Sequence, residues 1–191
     1  MNPPMKTNIE IEVRFLDINP SKLHKRLHDL GAIDKGEDFN QDIVFYDKEL
    51  SWQKEANRIL RLRKKKNGVY LTYKYFMQAT PDGTTEIEIM VDDYQKTKDL
   101  LEASGFVAFR EQEKRRHTYL LGRVIVDIDH WPQIPPLVEL EGESEEDLKE
   151  AAAQLGLDWN KADMHSVAWA LENVYHIPVR KLRYYTFDKV E

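Results

Sequence analysis

Ile9-Glu10-Ile11-Glu12-Val13-Arg14-Phe15 puts a charge at every second position and a hydrophobe in between. Successive side chains of a β-strand point to opposite faces, so Glu10, Glu12 and Arg14 share one face and Ile9, Ile11, Val13 and Phe15 the other. One such strand is an ordinary half-solvated element of an antiparallel sheet. The same alternation returns in at least six further segments, which a solvated sheet does not require.

Sorting those segments by parity places Arg61, Arg63 and Lys65 on one face of ILRLRKKK, and Thr72 with Lys74 on VYLTYKY. Glu86 and Glu88 follow on TTEIEIMV, Lys114 and Arg116 on EKRRHTYLL, Asp127 and Asp129 on RVIVDIDHW, and Glu139 and Glu141 on LVELEG. The opposite faces hold Leu60, Leu62, Ile87, Ile89, Val124, Val126, Ile128, Val138 and Leu140. Solvated faces usually mix Ser, Thr, Gln and Lys, whereas here acids recur as E-x-E and D-x-D and bases as R-x-R and K-x-R. The pattern predicts an α+β fold: a closed or nearly closed antiparallel eight-stranded β tunnel with a charged lumen and helices packed outside. Small barrels normally fill their interior with side chains that need no counter-charge. A lumen of acids and bases must offset its charges internally or hold ions, because an unpaired buried charge costs several kcal/mol. Acids that gather a hard cation and bases that gather an anion would together suit a polyphosphate carrying a divalent metal.

The connections support this layout. Asn19-Pro20 starts a helix carried by Leu23, Leu27 and Leu30 and stopped by Gly31. FNQDIVFYD (39–47) reads as a strand, residues 49–57 as a loop or helical turn, and Asn67-Gly68 as a two-residue hairpin turn. Pro81-Asp82-Gly83 marks another turn, and a helix over 93–104 ends at Gly105. The order strand, helix, glycine thus occurs twice, each time behind an EIE core, which points to an internal duplication. Ser144-Glu145-Glu146-Asp147 caps a helix that runs to Gly156, and a last helix is expected over 164–175. Residues 1–178 form one domain in this reading, and 179–191 form a tail that is an edge strand or disordered.

A length of 191 residues with 41% hydrophobic content supports one core. The net charge of −6 speaks against a nucleic-acid partner. With no cysteine, a metal would need oxygen or imidazole ligands. Neither a secretory signal nor an apolar span is legible, so a cytoplasmic protein without a membrane partner is expected. His24, His28, His117, His130, His165 and His176 read as packing or surface residues, and Lys64 to Lys66 as a solvated hairpin tip.

The ordered series of charged pairs resembles the CYTH superfamily, the triphosphate tunnel metalloenzymes, which includes class IV adenylate cyclases and thiamine triphosphatases. Its E-x-E-x-K signature corresponds to Glu10, Glu12 and Arg14. Arg61 and Arg63, Lys74, Glu86 and Glu88, Lys114 and Arg116, Asp127 and Asp129, and Glu139 and Glu141 follow the later pattern. The resemblance implies a catalytic role for Glu10, Glu12 and Arg14. It implies phosphate contacts from Arg14, Arg61, Arg63, Lys74, Lys114 and Arg116. It also implies Mg2+ or Mn2+ held by Glu10, Glu12, Asp129, Glu139 and Glu141, with Glu86, Glu88 and Asp127 as further lumen acids. The partner is then a small-molecule triphosphate, with a homodimer left open. The implied reactions are hydrolysis of inorganic, thiamine or nucleoside triphosphate, favoured as the least demanding, and cyclisation of ATP to cyclic AMP and pyrophosphate. A non-catalytic phospho-ligand module is the third reading. Arg14 stands where the family pattern has lysine; it keeps the charge but is planar and does not release a proton near neutrality, so rate and substrate choice are more exposed to the change than fold.

Overall fold

The computed structural model describes residues 11–55, 58–76 and 84–191. Glu10 and Ile9 lie outside the described residues, as does the Pro81-Asp82-Gly83 turn. The first half of the chain runs β1 (Ile11–Phe15), α1 (Pro20–Asp29), β2 (Ile33–Tyr46), α2 (Ser51–Glu55), β3 (Arg58–Lys65) and β4 (Gly68–Phe76). The second half runs β5 (Thr84–Val91), α3 (Tyr94–Ala103), β6 (Val107–Leu121), β7 (Val124–His130), β8 (Leu137–Gly142), α4 (Glu145–Leu155) and α5 (Val167–Asn173), with a short β9 (Tyr184–Tyr185).

Eight strands form one curled antiparallel sheet in the order β1-β8-β7-β6-β2-β3-β4-β5, and β9 adds to β6 in parallel. No strand pairing joins β1 to β5 among the described residues, yet the sheet curls far enough for Lys74 on β4 to act electrostatically on Glu12 on β1. The strand order is unchanged when β1–β4 are exchanged with β5–β8. This is what the duplicated strand, helix, glycine layout anticipates: β2 and β6 pair at the centre, and each half folds outward from that pair. Gly31 and Gly105 occupy equivalent places, each with positive φ (72° and 93°) in the turn that returns its helix to the central strands.

Helix starts follow local chemistry. Asn19 accepts from the Lys22 amide at 3.0 Å, Asp93 from Lys96 at 2.9 Å and Ser144 from Asp147 at 3.1 Å, each satisfying a donor the helix cannot. Leu23 and Leu27 of α1 and Leu148, Ala151, Ala152 and Leu155 of α4 pack on Val13, Phe15, Val124, Val126, Ile128, Val138 and Leu140, the outer faces of β1, β7 and β8. Leu101 of α3 covers Ile43, Phe45, Leu60 and Leu62 of β2 and β3. A third cluster, Trp131, Leu137, Leu171, Val179 and Tyr185, joins α5 and the C-terminal residues to the sheet. Tyr185 is fully buried and its hydroxyl donates to the Pro132 carbonyl at 2.6 Å. Among the described residues no helix is long and apolar enough to cross a membrane.

Four elements depart from the sequence expectation. β2 and β6 begin earlier than 39 and 113 because they pair with each other over nearly their whole length. The β3–β4 turn falls on Lys66-Asn67, with Lys65 opposite Gly68, one residue before the expected dipeptide. The Lys66 amide donates to Asp38 at 2.9 Å and Gly68 takes φ 147°, which together fix the earlier turn. Finally, α5 is shorter than 164–175, because Ser166 caps it at its start.

Leu140 has no exposed surface and sits between β8 and α4. Leu140→Ala is expected to lower stability by about 3 kcal/mol. Chemical denaturation would read this as an earlier midpoint with an unchanged slope.

Candidate active site

The inward faces of the strands carry two charged walls. The acidic wall is built on β7, β8 and β1, where the register sets Asp127 opposite Glu139, Glu139 opposite Arg14, and Glu141 opposite Glu12. The basic wall is built on β3 and β4, with Arg61, Arg63 and Lys74. β6 lies beside the acidic wall and supplies Lys114 and Arg116.

Arg116 ties the acidic wall together. Its Nε and Nη2 donate to the two oxygens of Asp129 at 2.6 Å each, and its remaining N–H groups reach Asp127 and Glu139. Burial opposes the charge of this guanidinium, but Asp129, Asp127 and Glu139 override that and hold it firmly protonated. Lys114 donates to Asp129 at 2.7 Å and lies over the Trp131 ring at 5.2 Å. Burial, with Arg116 alongside, pushes Lys114 down to about 8. Burial would raise Glu139, yet Arg14, Lys114 and Arg116 hold it well below the usual carboxylate range. Glu12 moves the other way, pushed up by its partial burial and by Glu139.

On the basic wall, Lys74 pairs with Glu86 at 2.5 Å and Glu88 accepts from Thr72 at 2.8 Å. Arg61 is less satisfied. Its charged partner Glu86 stands 3.9 Å away, and its buried Nε has no hydrogen-bond partner among the described residues. Burial, reinforced by Arg63, lowers its pKa. A guanidinium in that condition is a site that an anion would stabilise.

Four inward residues escaped the sequence reading. Asp42 of β2 grips Arg63 with two hydrogen bonds of 2.7 Å, Gln112 donates to Asp42 at 3.2 Å, and Arg110 donates to Gln112 and to the Val179 carbonyl at 2.9 Å each. This chain runs from the basic wall to the C-terminal residues. Asn40, 2% exposed and opposite Lys114, leaves its Oδ1 without a partner among the described residues. All four fall on the even-numbered parity of FNQDIVFYD and of the residues before Lys114, so the alternation already present in the sequence could have found them.

Divalent metal ions fit the donor chemistry, since Glu12, Glu139 and Glu141 present hard carboxylate oxygens along β1 and β8. Among the described residues, however, no three acidic or histidine side chains stand as an open ligand set. Glu12, Asp127, Asp129 and Glu139 are each engaged by a base.

Burial raises the Asp42 carboxyl, but Arg63, through charge and two hydrogen bonds, overrides it and holds Asp42 well below the ordinary range. A depressed folded-state pKa stabilises the fold fully above the unfolded aspartate value near ~4, and that stabilisation is lost as pH falls. Asp42→Asn is therefore expected to cost about 3 kcal/mol at pH 7, where it leaves Arg63 buried without its counter-charge. Urea melts from pH 7 down to pH 2 would show a shallower acid decline in the variant than in the parent.

The CYTH domain model matches residues 8–165. A comparison with curated proteins found no match. Among solved structures, PH1012 of Pyrococcus horikoshii OT3 is 24% identical, with 82% of this chain and 96% of that one covered and a TM-score of 0.70. A Vibrio parahaemolyticus protein classed by name with the adenylate cyclases covers 87% of this chain and 99% of its own, at 14% identity and a TM-score of 0.73. HpAC1 of Hippeastrum, whose dominant activity is that of a triphosphatase, covers 87% and 95% at 13% identity and a TM-score of 0.60. These likenesses establish a shared fold, and the match over residues 8–165, with the charged curled sheet it spans, places this chain in the CYTH domain family.

Proposed function

We propose that the protein is a divalent-metal-dependent triphosphatase whose lumen binds a linear triphosphate between the two walls. The observation that carries this reading is the under-paired Arg61. A half-buried guanidinium, whose enclosed Nε has no hydrogen-bond partner among the described residues, faces a lumen whose opposite wall is rich in acids, so the basic wall invites an anion and the acidic wall a cation.

Arg61, Lys74, Lys114 and Arg116 would exchange their carboxylate partners for phosphate oxygens as substrate enters, and Arg63 would contact those oxygens while still paired with Asp42. The exchange is nearly balanced in charge, so binding need not expose an uncompensated ion. Asp42 keeps Arg63 oriented through the exchange, because both of its oxygens grip one edge of the guanidinium. Glu12, Glu139 and Glu141, with Glu10, would hold Mg2+ or Mn2+, which when bound supplies charge neutralisation on the phosphates and a lowered pKa for an attacking water. The bases around the terminal phosphoryl group stabilise the charge that spreads over its oxygens during transfer. The likeness to HpAC1, with its triphosphatase activity, agrees with hydrolysis, while the likeness to proteins named for adenylate cyclase keeps cyclisation as the competing outcome of the test.

Incubation with inorganic triphosphate, thiamine triphosphate and ATP, each with Mg2+ or Mn2+, should release phosphate. Cyclic AMP with pyrophosphate as the main product would replace hydrolysis by cyclisation, and no product with any metal would leave a binding module. Lys74→Met is expected to raise KM for the hydrolysed substrate about tenfold or more through loss of a charge-assisted contact. Glu12→Gln is expected to reduce metal-dependent turnover by at least about a hundredfold, and near-parental kcat in this variant removes the assignment of Glu12.

A further inference from the structure

Arg14 differs from Arg61 and Lys74 in where it stands, and it shares Glu139 with Arg116 of β6. Arg61 and Lys74 face the acids across the lumen, whereas Arg14 belongs to the acidic wall itself, directly across the ladder from Glu139. Its Nε and Nη2 donate to Glu139 Oε1 at 3.1 and 2.8 Å, its Nη2 also donates to Glu12, and its Nη1 donates to the His165 carbonyl. The main chain seats it from the same side: Arg14 and Asp163 exchange backbone hydrogen bonds of 2.9 and 2.8 Å. The residue is 4% exposed.

Three nitrogens are thus committed at once to two carboxylates and one carbonyl. A planar fork can satisfy that set, whereas a lysine of equal charge has one point donor on a flexible stem. The His165 carbonyl is the telling contact, because it anchors the guanidinium from outside the acid pair and stops it from swinging aside.

We propose that Arg14 is a fixed internal cation that guards the Glu12–Glu139 pair against divalent metal in the free protein, so that a metal ion reaches these carboxylates only together with a polyphosphate. The second half rests on the reading of the lumen as a triphosphate site; the first is a property of the protein alone. A bare divalent ion approaching the pair meets a positive charge already at hydrogen-bond distance and must displace it from three acceptors. A metal–triphosphate complex brings anionic oxygens to which the released N–H groups of Arg14 can turn. The resting site is thereby kept from adventitious metal.

The test is Mn2+ binding to the full chain, followed by the electron paramagnetic resonance of free Mn2+, with and without a non-hydrolysable imidotriphosphate. Without it, Arg14→Lys should bind Mn2+ about tenfold or more tightly than the parent, and with it the two should converge. Equal titrations of the parent and a folded Arg14→Lys variant would overturn the proposal. If that variant does not fold, Arg14→Gln decides: without imidotriphosphate it should bind Mn2+ about tenfold or more tightly than the parent, and an unchanged titration would overturn the proposal. Hydrolysis of inorganic triphosphate by the parent alongside equal Mn2+ titrations removes the guard and leaves the proposed function. The expected Mn2+ difference without hydrolysis removes the function and leaves the guard.

Discussion

Arg116 contacting Asp127, Asp129 and Glu139 from one side chain is the constraint around which the sheet is arranged. Buried acids on neighbouring strands repel one another, and an inward face of E-x-E and D-x-D pairs is tolerable only where a base reaches several of them at once. Arginine does this with a fixed fork of donors, so β6 has to lie beside β7 with Arg116 opposite Asp129. The apolar outer faces then follow by parity, and α1 and α4 cover them.

The two halves of the chain use this constraint in opposite senses. In the first half β3 and β4 carry the bases, while their counterparts β7 and β8 carry the acids. Exchange of the halves preserves strand order but inverts the sign of these inward faces. The two halves therefore form a polar pair, and the lumen between them is asymmetric although the sheet order is symmetric.

Parity made the charged face and its apolar reverse readable in the sequence, because a period of two survives whatever partner a strand takes. Strand ends and partners were less legible. β2 and β6 extend beyond their apolar cores because each completes the other's ladder, and with the β6 extension came Arg110 and Gln112, whereas Asn40 and Asp42 lay within the strand already legible over 39–47. The hairpin turn moved by one residue through a contact from Asp38, which no local turn preference contains. The surroundings of Arg14 were hidden for a similar reason: Glu139 and His165 lie more than a hundred residues away in sequence. Identity at position 14 was visible, but the acceptors that give an arginine there its meaning were not.

Among the described residues β1 forms a ladder with β8 alone, and its other edge meets only the isolated bridge between Arg14 and Asp163. A strand at the end of a sheet opens by local fluctuation more readily than one paired on both sides. Glu12 and Arg14 ride on that strand, so its detachment takes apart one side of the acidic wall while the central β2–β6 ladder stays intact. The rate at which the Arg14 amide, bonded to the Asp163 carbonyl, exchanges its hydrogen with solvent is then a direct gauge of how often the site comes apart in a molecule that is otherwise folded.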